Sequence, residues 1–359
     1  MTQKQIRVGI VGADTNASWA KVSHIPAIRG LPCLKLAAVA TRHEHSAREA
    51  AQAFGAGRWF SDPFAMIHDE QIELITIAVK LPAHRELVLA ALAAGKAVYS
   101  EAPLGRNVEE SGEMANAVGA CHTAIGLQGR LNPAVRRAAQ VLASGRIGEP
   151  LNAMVVSTTS AYGPHLPSKY DYVNRASSGA NLLTITGGHT LDLVEALLGP
   201  ILEVDCRTQT VWPLVELTDI GENVLRETPD HIDVLGVTRS GAVYTADIHG
   251  GVDEDDAGLR FEVRGPEGWL RLTGGHPYGF QAGHLELTSS VVFEQPEQPA
   301  VTGGWMGAAI NVGEVYAHLV RDLCDGTYCT PGFAHALHNA RLMETVTRAA
   351  EDGQRQRAS

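Results

Sequence analysis

The chain lacks what would commit it to a membrane, a nucleic acid or an oxidising compartment. No apolar run reaches the roughly 20 residues that span a bilayer. Positive charge is short: Lys+Arg 29 against Asp+Glu 40 gives a formal net charge of -11. That balance disfavours a phosphate backbone or an anionic lipid surface as the main partner. Cysteine is sparse, with five residues at 33, 121, 206, 324 and 329. An odd, scattered set is expected to be free thiols in a reduced compartment. Cys324 and Cys329 form the only close pair, and no second Cys or His pair stands at metal-finger spacing, so no metal is expected. No charged and apolar segments of a secretory signal precede the first strand-like run, so a cytoplasmic protein is expected. Internal repeats and low-complexity tracts are absent from the sequence.

What is present is an ordinary globular composition, 45% hydrophobic and 19% charged over 359 residues, enough for two domains or one large one. In the first third, apolar strand-like runs alternate with helical ones. Ile6 to Gly12, Lys35 to Ala40, Leu74 to Val79, Ala97 to Ser100 and Thr123 to Leu127 read as strands. Ala20 to Arg29, Ser46 to Phe54, Ala83 to Ala94 and Val108 to Val118 read as helices, three of them closed by Gly30, Gly55 and Gly95. Strands apolar on both faces and separated by helices predict a doubly wound parallel sheet.

From Leu151 the texture changes. Asn152 to Thr158, Ile232 to Thr238, Ala242 to Ile248, Leu259 to Val263, Leu270 to Leu272 and Leu285 to Val292 look like strands. Turn signals at Ser240-Gly241, Gly265 to Gly268 and Gly274-Gly275 break them, which suits an antiparallel sheet with hairpins. Helices are expected at Asn132 to Ser144, Thr190 to Leu198, Val312 to Cys324 and Phe333 to Glu351. The expected class is α/β: a dinucleotide-binding domain over residues 1–127 and a substrate-binding and oligomerisation domain over 128–359, with a large, mainly antiparallel open sheet.

Gly12-Ala13-Asp14-Thr15-Asn16-Ala17 follows the first strand and precedes a helix. A glycine-rich turn in that place brings backbone close to a pyrophosphate. Gly12 and Ala17 fit the pattern, but Asp14 holds the second glycine position. Its carboxylate would repel a pyrophosphate unless it turned to cap backbone N–H groups. On the motif alone, a generic strand-to-helix turn fits as well as a dinucleotide site. At the end of the second strand, Ala40-Thr41-Arg42-His43 offers no acid for a ribose 2′-hydroxyl. Thr41 and Arg42 suit a 2′-phosphate, and Arg42 suits stacking on adenine. NAD and NADP both remain open at this point.

Several segments together resemble the family of glucose–fructose oxidoreductase, inositol dehydrogenase and MocA-like NAD(P)-dependent oxidoreductases (Gfo/Idh/MocA). They are Val8 to Gly12, Ile77 to His84, Ala91 to Val98 leading to Glu101-Ala102-Pro103-Leu104, Ser144 to Glu149, Gly187 to Asp192, and Gly265 to Leu270. Trp19-Ala20, Leu127 to Arg130, Lys169-Tyr170 and Thr228-Pro229-Asp230-His231 are closer to the branch similar to the NAD(P)-binding fungal repressor of galactose genes. The resemblance implies a Rossmann domain, then an α/β domain whose open sheet covers the nicotinamide. It implies that Glu101 holds the nicotinamide ribose, with Ala102 beside it where cofactor meets substrate. Ala78, Val79, Lys80 and His84 would line the cofactor edge, and Gln128 would approach the carboxamide; Trp19 is a candidate to cover the nicotinamide end, or else packs the long first loop. A homodimer or homotetramer is implied as well.

Enzymes of this family usually read Glu-Lys-Pro, the lysine acting as base on the substrate hydroxyl, and carry an aspartate four residues before a histidine. Here the first motif is Glu101-Ala102-Pro103, and four residues before His189 stands Ile185. His189 alone remains of the three groups, and an imidazole with an ordinary pKa of about 6.5 can take a hydroxyl proton. The second source of polar groups is the loop Tyr162 to Tyr172. Tyr162, Lys169 and Tyr172 are candidates for proton transfer. Tyr170 and His165 are candidates for binding a sugar ring or an anionic group on it. Arg130 and His231 are further substrate-side candidates.

Three functions compete. The first is an NAD(P)-dependent oxidoreductase of a sugar, polyol or glycoside. The second is an oxidoreductive glycosidase, which oxidises a ring hydroxyl transiently, eliminates the aglycone, adds water and is re-reduced without net cofactor use. The third is a dinucleotide-binding regulator without turnover.

Overall fold

The computed structural model describes residues 5–16, 18–301 and 307–358. By packing, the chain divides into two compact units: Met1–Gln128 with Pro299–Leu337, and Gly129–Gln298 with His338–Ser359. Pro299–Leu337 groups with the first unit, so the second part of the chain is not one continuous stretch of the second unit.

The first unit is built on six parallel strands: β1 (Ile6–Val11), β2 (Leu34–Ala40), β3 (Arg58–Phe60), β4 (Leu74–Ile77), β5 (Ala97–Ser100) and β6 (Thr123–Ile125). Their order is β3-β2-β1-β4-β5-β6, so the direction of winding reverses between β1 and β4. Every residue of β4 and β5 is buried, which is why these strands read as unbroken apolar runs. The helices are α1 (Trp19–Val22), α2 (His24–Gly30), α3 (Glu44–Phe54), α4 (Pro63–Ile67), α5 (His84–Ala93) and α6 (Val108–Asn116). A single helix over Ala20 to Arg29 is not formed. The chain breaks at Ser23, where Pro26 has no N–H to give the Val22 carbonyl and the Ser23 N–H and Oγ both donate to the Trp19 carbonyl. β3 and α4 escape a reading by periodicity, being three and five residues long. The cap of α4 is nonetheless local: Asp62 accepts from the Phe64 N–H and Pro63 opens the helix.

The second unit opens with α7 (Pro133–Ala143), capped by Asn132, whose side chain accepts from the Ala134 N–H. Its strands are β7 (Asn152–Thr158), β8 (His165–Leu166), β9 (Ile201–Gln209), β10 (Leu214–Leu217), β11 (Glu222–Leu225), β12 (His231–Thr238), β13 (Val243–His249), β14 (Leu259–Gly265), β15 (Gly268–Gly275), β16 (His284–Ser289) and β17 (Gln356–Arg357). Eight of them form one sheet in the order β16-β15-β14-β7-β13-β12-β9-β17, antiparallel except between β13 and β7. β8, β10 and β11 form a small separate sheet. The expected strands are present. β8 to β11 and β17 are additional, and β9 escapes notice because Glu203, Asp205 and Arg207 alternate with Val204 and Cys206 and break up the apolar run.

Strand alternation decides which side of the large sheet is core. Ile232, Val234, Tyr244, Ala246 and Ile248 are buried with residues of α7, α8 (Gly188–Leu198) and the last turns of α10 (Phe333–Asp352). The opposite face carries Asp233, Leu235 and Val243, all exposed. The remaining long helix, α9 (Gly307–Asp325), belongs to the first unit and packs on α2. Among the described residues no helix is long and apolar enough to cross a membrane, and the five cysteines are free thiols.

Candidate functional site

In the first unit, the residues expected at the cofactor follow the carboxyl ends of the parallel strands. Gly12 follows β1, Thr41 and Arg42 follow β2, Ala78 to Lys80 follow β4, and Glu101 and Ala102 follow β5. Gln128 lies just past β6. In an open α/β sheet wound in this order, ligands bind beyond those ends, at the reversal between β1 and β4.

The turn after β1 has its own geometry. Gly12 has φ 97°, and its N–H donates to the Ala40 carbonyl over 2.9 Å. Asp14 does not open toward a ligand with both oxygens. Its Oδ1 accepts from the Asn16 N–H at 2.9 Å, the capping use that lets a carboxylate stand in this turn. Thr15 is held to α3 through a 2.6 Å bond to Glu49, and Lys21 donates to the Thr15 carbonyl. Ala17 lies outside the described residues. The buried Trp19 Nε1 has no hydrogen-bond partner. The Thr41 hydroxyl is taken up by Ser46 Oγ at 2.7 Å, at the start of α3, whereas Arg42 is exposed.

Beyond β4 and β5, His84 is buried, Ala78, Val79, Glu101 and Ala102 are half-buried, and Lys80 is exposed. His84 is 2% exposed, and Nε2 donates to the Val79 carbonyl at 3.0 Å. Burial pushes its pKa below the ordinary imidazole value, so it stays neutral and holds the β4–α5 turn closed. Glu101 Oε1 lies 2.9 Å from Nε2 of the fully buried His24. His24 Nδ1 in turn meets the Tyr316 hydroxyl at 3.0 Å, which is 2.7 Å from Thr76 Oγ1. Gly126 leaves room for this acid, since a Cβ there would come within 2.8 Å of Glu101 Oε2. Ala102 packs against the core of the first unit. Gln128 is 1% exposed, and its Oε1 has no hydrogen-bond partner. A buried acceptor without a donor is what a carboxamide N–H would satisfy, so these residues fit a nicotinamide dinucleotide.

In the second unit, His189 is 5% exposed in the first turn of α8, with the Phe280 ring edge-on at 6.4 Å. Its place is set by close backbone packing. Asn339 of α10 donates to the Gly188 carbonyl at 3.0 Å, and a Cβ on Gly129 would strike the Phe280 ring at 2.7 Å. Two acids further along α8 are paired: Asp192 takes Arg130 at 2.7 Å, and Glu195 takes His338 at 2.7 Å. Arg130, expected on the substrate side, is thus tied into the base of α8.

The loop from Tyr162 to Tyr172 separates into two groups. Tyr162 is half-buried, has φ 66°, and bonds the Thr186 hydroxyl one turn before His189. Burial pushes its phenol above the ordinary value, with Tyr172 adding to the shift. Tyr172 is raised by burial too, and then by Tyr170. Both phenols therefore keep their protons near neutral pH and suit donation rather than abstraction. Lys169, Tyr170 and His165 are exposed instead. The Lys169 ammonium lies 4.8 Å from the Tyr170 ring centre, and His165 pairs with Glu216 at 3.1 Å.

His231, expected to bind substrate, stands on the exposed face of the large sheet, with Asp247 and His249. His189 is on the helix-covered side, because Ile232 and Val234 next to His231 point into the core.

The loop is anchored chiefly by residues that no sequence motif marks. Arg226 is 6% exposed and donates to the Tyr162 and Gly163 carbonyls, to Asn174 Oδ1 at 3.0 Å and to Asp230 at 2.9 Å. Thr228 donates to the Val173 carbonyl. The Thr228-Pro229-Asp230 signal was visible, but nothing local to Arg226 or Asn174 announces their partners.

Comparison with known proteins settles the relationship. Residues 6–124 match the oxidoreductase family with an NAD-binding Rossmann fold (GFO_IDH_MocA), and residues 133–274 match the Gal80p C-terminal domain. The chain belongs to the Gfo/Idh/MocA family, near Gal80. It is 29% identical over 247 residues to dehydrogenase aclE of Aspergillus oryzae, covering 65% of this chain and 67% of that one. It is 26% identical over 317 residues to the galactose/lactose metabolism regulatory protein GAL80 of Kluyveromyces lactis, covering 81% and 67%. A solved levoglucosan dehydrogenase in complex with NADH and L-sorbose shares the fold, with TM-score 0.84 and 22% identity over 99% of each chain. As a Gfo/Idh/MocA protein it carries an NAD-binding Rossmann domain, and NAD is its cofactor. Its departure from the family pattern is chemical: Ala102 brings a methyl group where the resemblance places an ammonium.

Proposed function

We propose that the chain is an NAD-dependent oxidoreductase that interconverts a carbinol and a carbonyl on a sugar, polyol or glycoside. The observation that carries this reading is the cofactor edge of the first unit. Gly12, Glu101 and the buried, donorless Gln128 Oε1 stand beyond the ends of β1, β5 and β6. Bound NAD supplies the hydride acceptor. Glu101, held by His24, orients the ribose, and Gln128 orients the carboxamide. His189 receives the hydroxyl proton on an imidazole nitrogen, in the role left by Ala102. Tyr162 and Tyr172, kept protonated by burial, donate hydrogen bonds to the substrate oxygens. The sugar class rests on the relatives' substrates and on this polar, aromatic lining.

A regulator without turnover is the second reading, favoured by Ala102 and by the match of residues 133–274 to the Gal80p C-terminal domain. An oxidoreductive glycosidase needs a second base, and since the Tyr162 and Tyr172 phenols keep their protons, the loop leaves the exposed Lys169 for that role.

Incubation with NAD and a panel of free sugars, polyols and chromogenic glycosides in D2O separates the three. Stoichiometric NADH from a free sugar or polyol is the expected result, and His189→Ala should lower the rate by ~10²–10⁴-fold. Aglycone release with deuterium uptake and only catalytic NAD would replace this reading with the glycosidase. NAD binding without turnover across the panel would replace it with the regulator. Unchanged turnover in His189→Ala would remove the base assignment.

A further inference from the structure

We propose that His231, Asp247 and His249 form a binding site for a divalent transition-metal ion of the zinc class, on the exposed face of the eight-stranded sheet. The three come together through strand register. His231 and His249 are opposite each other in the antiparallel β12–β13 ladder, and Asp247 precedes His249 by two residues on the same face. Each offers one ligand atom, and these atoms lie within 4.8 Å of one another. Asp247 Oδ1 is 2.9 Å from His249 Nδ1 and 3.4 Å from His231 Nε2. Ligand atoms bonded at ~2.0–2.2 Å to a tetrahedral zinc lie about 3.3 Å apart, so the two distances from Asp247 are already near that spacing.

The side chains are 35%, 41% and 26% exposed, open enough for an ion to enter without opening the core. Two imidazole nitrogens and one carboxylate suit zinc and its neighbours rather than magnesium or calcium, which prefer oxygen alone. Three protein ligands leave a fourth position for water. Asp233, opposite Asp247 in the ladder and 3.9 Å from His231 Nε2, stands where it can hold that water. Around the cluster, β9 sets Gln209 opposite His231 and Arg207 opposite Asp233, and β7 sets Thr158 beside His249. A positioned ion also accounts for the imidazole pair, whose ring centres are 4.9 Å apart at 29°. The two rings turn nitrogens toward one shared carboxylate oxygen, an arrangement that a cation completes.

The test uses the full chain, stripped with a chelator and titrated calorimetrically with Zn2+, with Mg2+ as control. One saturable equivalent of Zn2+ and no Mg2+ binding are expected. His249→Ala and His231→Ala should each weaken Zn2+ binding at least tenfold, while unfolding in urea without metal stays as in the unsubstituted chain. Should His249→Ala fail to fold, His249→Gln reads the same loss. Co2+ should give the visible spectrum of a nitrogen and oxygen site without a thiolate charge-transfer band. Absence of a saturable equivalent, unchanged affinity in the histidine variants, or a thiolate band pointing to cysteine would each overturn the proposal.

Discussion

Gly12 answers two demands with one residue. Its φ of 97° lies where side chains are strained, and a Cβ there would stand 2.3 Å from the Ala78 carbonyl oxygen. Gly12→Ala is expected to cost at least ~1–3 kcal/mol from the backbone conformation alone. It should also weaken NAD at least tenfold, because the chain must move where it approaches the cofactor. Urea unfolding and a fluorescence titration with NAD measure the two effects separately. Ala102 and His189 form the opposite case, where the side chain rather than the backbone decides. A methyl group at 102 can take no proton, and the phenols of Tyr162 and Tyr172 hold theirs too tightly. In the function proposed above, the buried imidazole of His189 is the group that takes that proton.

At the scale of elements, the loop carrying Tyr162 and Tyr172 is held from beneath by a buried ion pair. Asp230 is fully buried and accepts from Arg226 and from the N–H groups of Val211 and Trp212. Asp230→Ala leaves the guanidinium buried and uncompensated, and a loss of ~3–5 kcal/mol is expected. The same variant should be cut faster by protease between residues 162 and 172, a readout of the loop itself. A second acid closes the turn after α9. Asp322 accepts from the hydroxyls of Thr327 and Thr330 and from the N–H groups of Cys329 and Thr330. Burial raises its pKa, but these four donors outweigh it and bring the group from 3.8 to about 2. With the folded value depressed, its stabilisation is complete above the ordinary value and disappears as pH falls through about 2. Asp322→Asn should therefore cost about 2 kcal/mol at neutral pH, and denaturation curves should show the gap closing between pH ~4 and ~2. The turn matters to the parallel sheet because the Pro331 carbonyl just beyond it accepts from Ile125 of β6.

For the molecule as a whole, folding and cofactor binding are linked. A ligand that binds only the folded chain stabilises it by about 2.7 kcal/mol at a hundred times its dissociation constant. NAD should raise the thermal midpoint accordingly. The rise should shrink in Gly12→Ala, and scanning calorimetry with and without NAD measures both. The first unit also shows why a boundary drawn along the sequence misplaced Pro299–Leu337. α9 carries Tyr316 into the core of the first unit, where it is buried and bonds Thr76 and His24. Nothing in the local pattern of a long amphipathic helix says which core it will cover.

The sequence by itself determined the local chemistry. Unbroken apolar runs became buried parallel strands, Gly55 took the left-handed turn that ends α3, and Gly12 shaped the turn after β1. Those features depend on residues within a few positions of each other, and so did the order of motifs that revealed the family. Tertiary structure alone decided which distant side chains meet. It set Glu101 against His24, bound Arg226 across the Tyr162 loop, exposed Lys169, and placed His231 beside Asp247 and His249 on the face away from His189. The physical reason is that such contacts follow from strand order and register, which the burial of whole faces selects. No periodicity along the chain records the outcome.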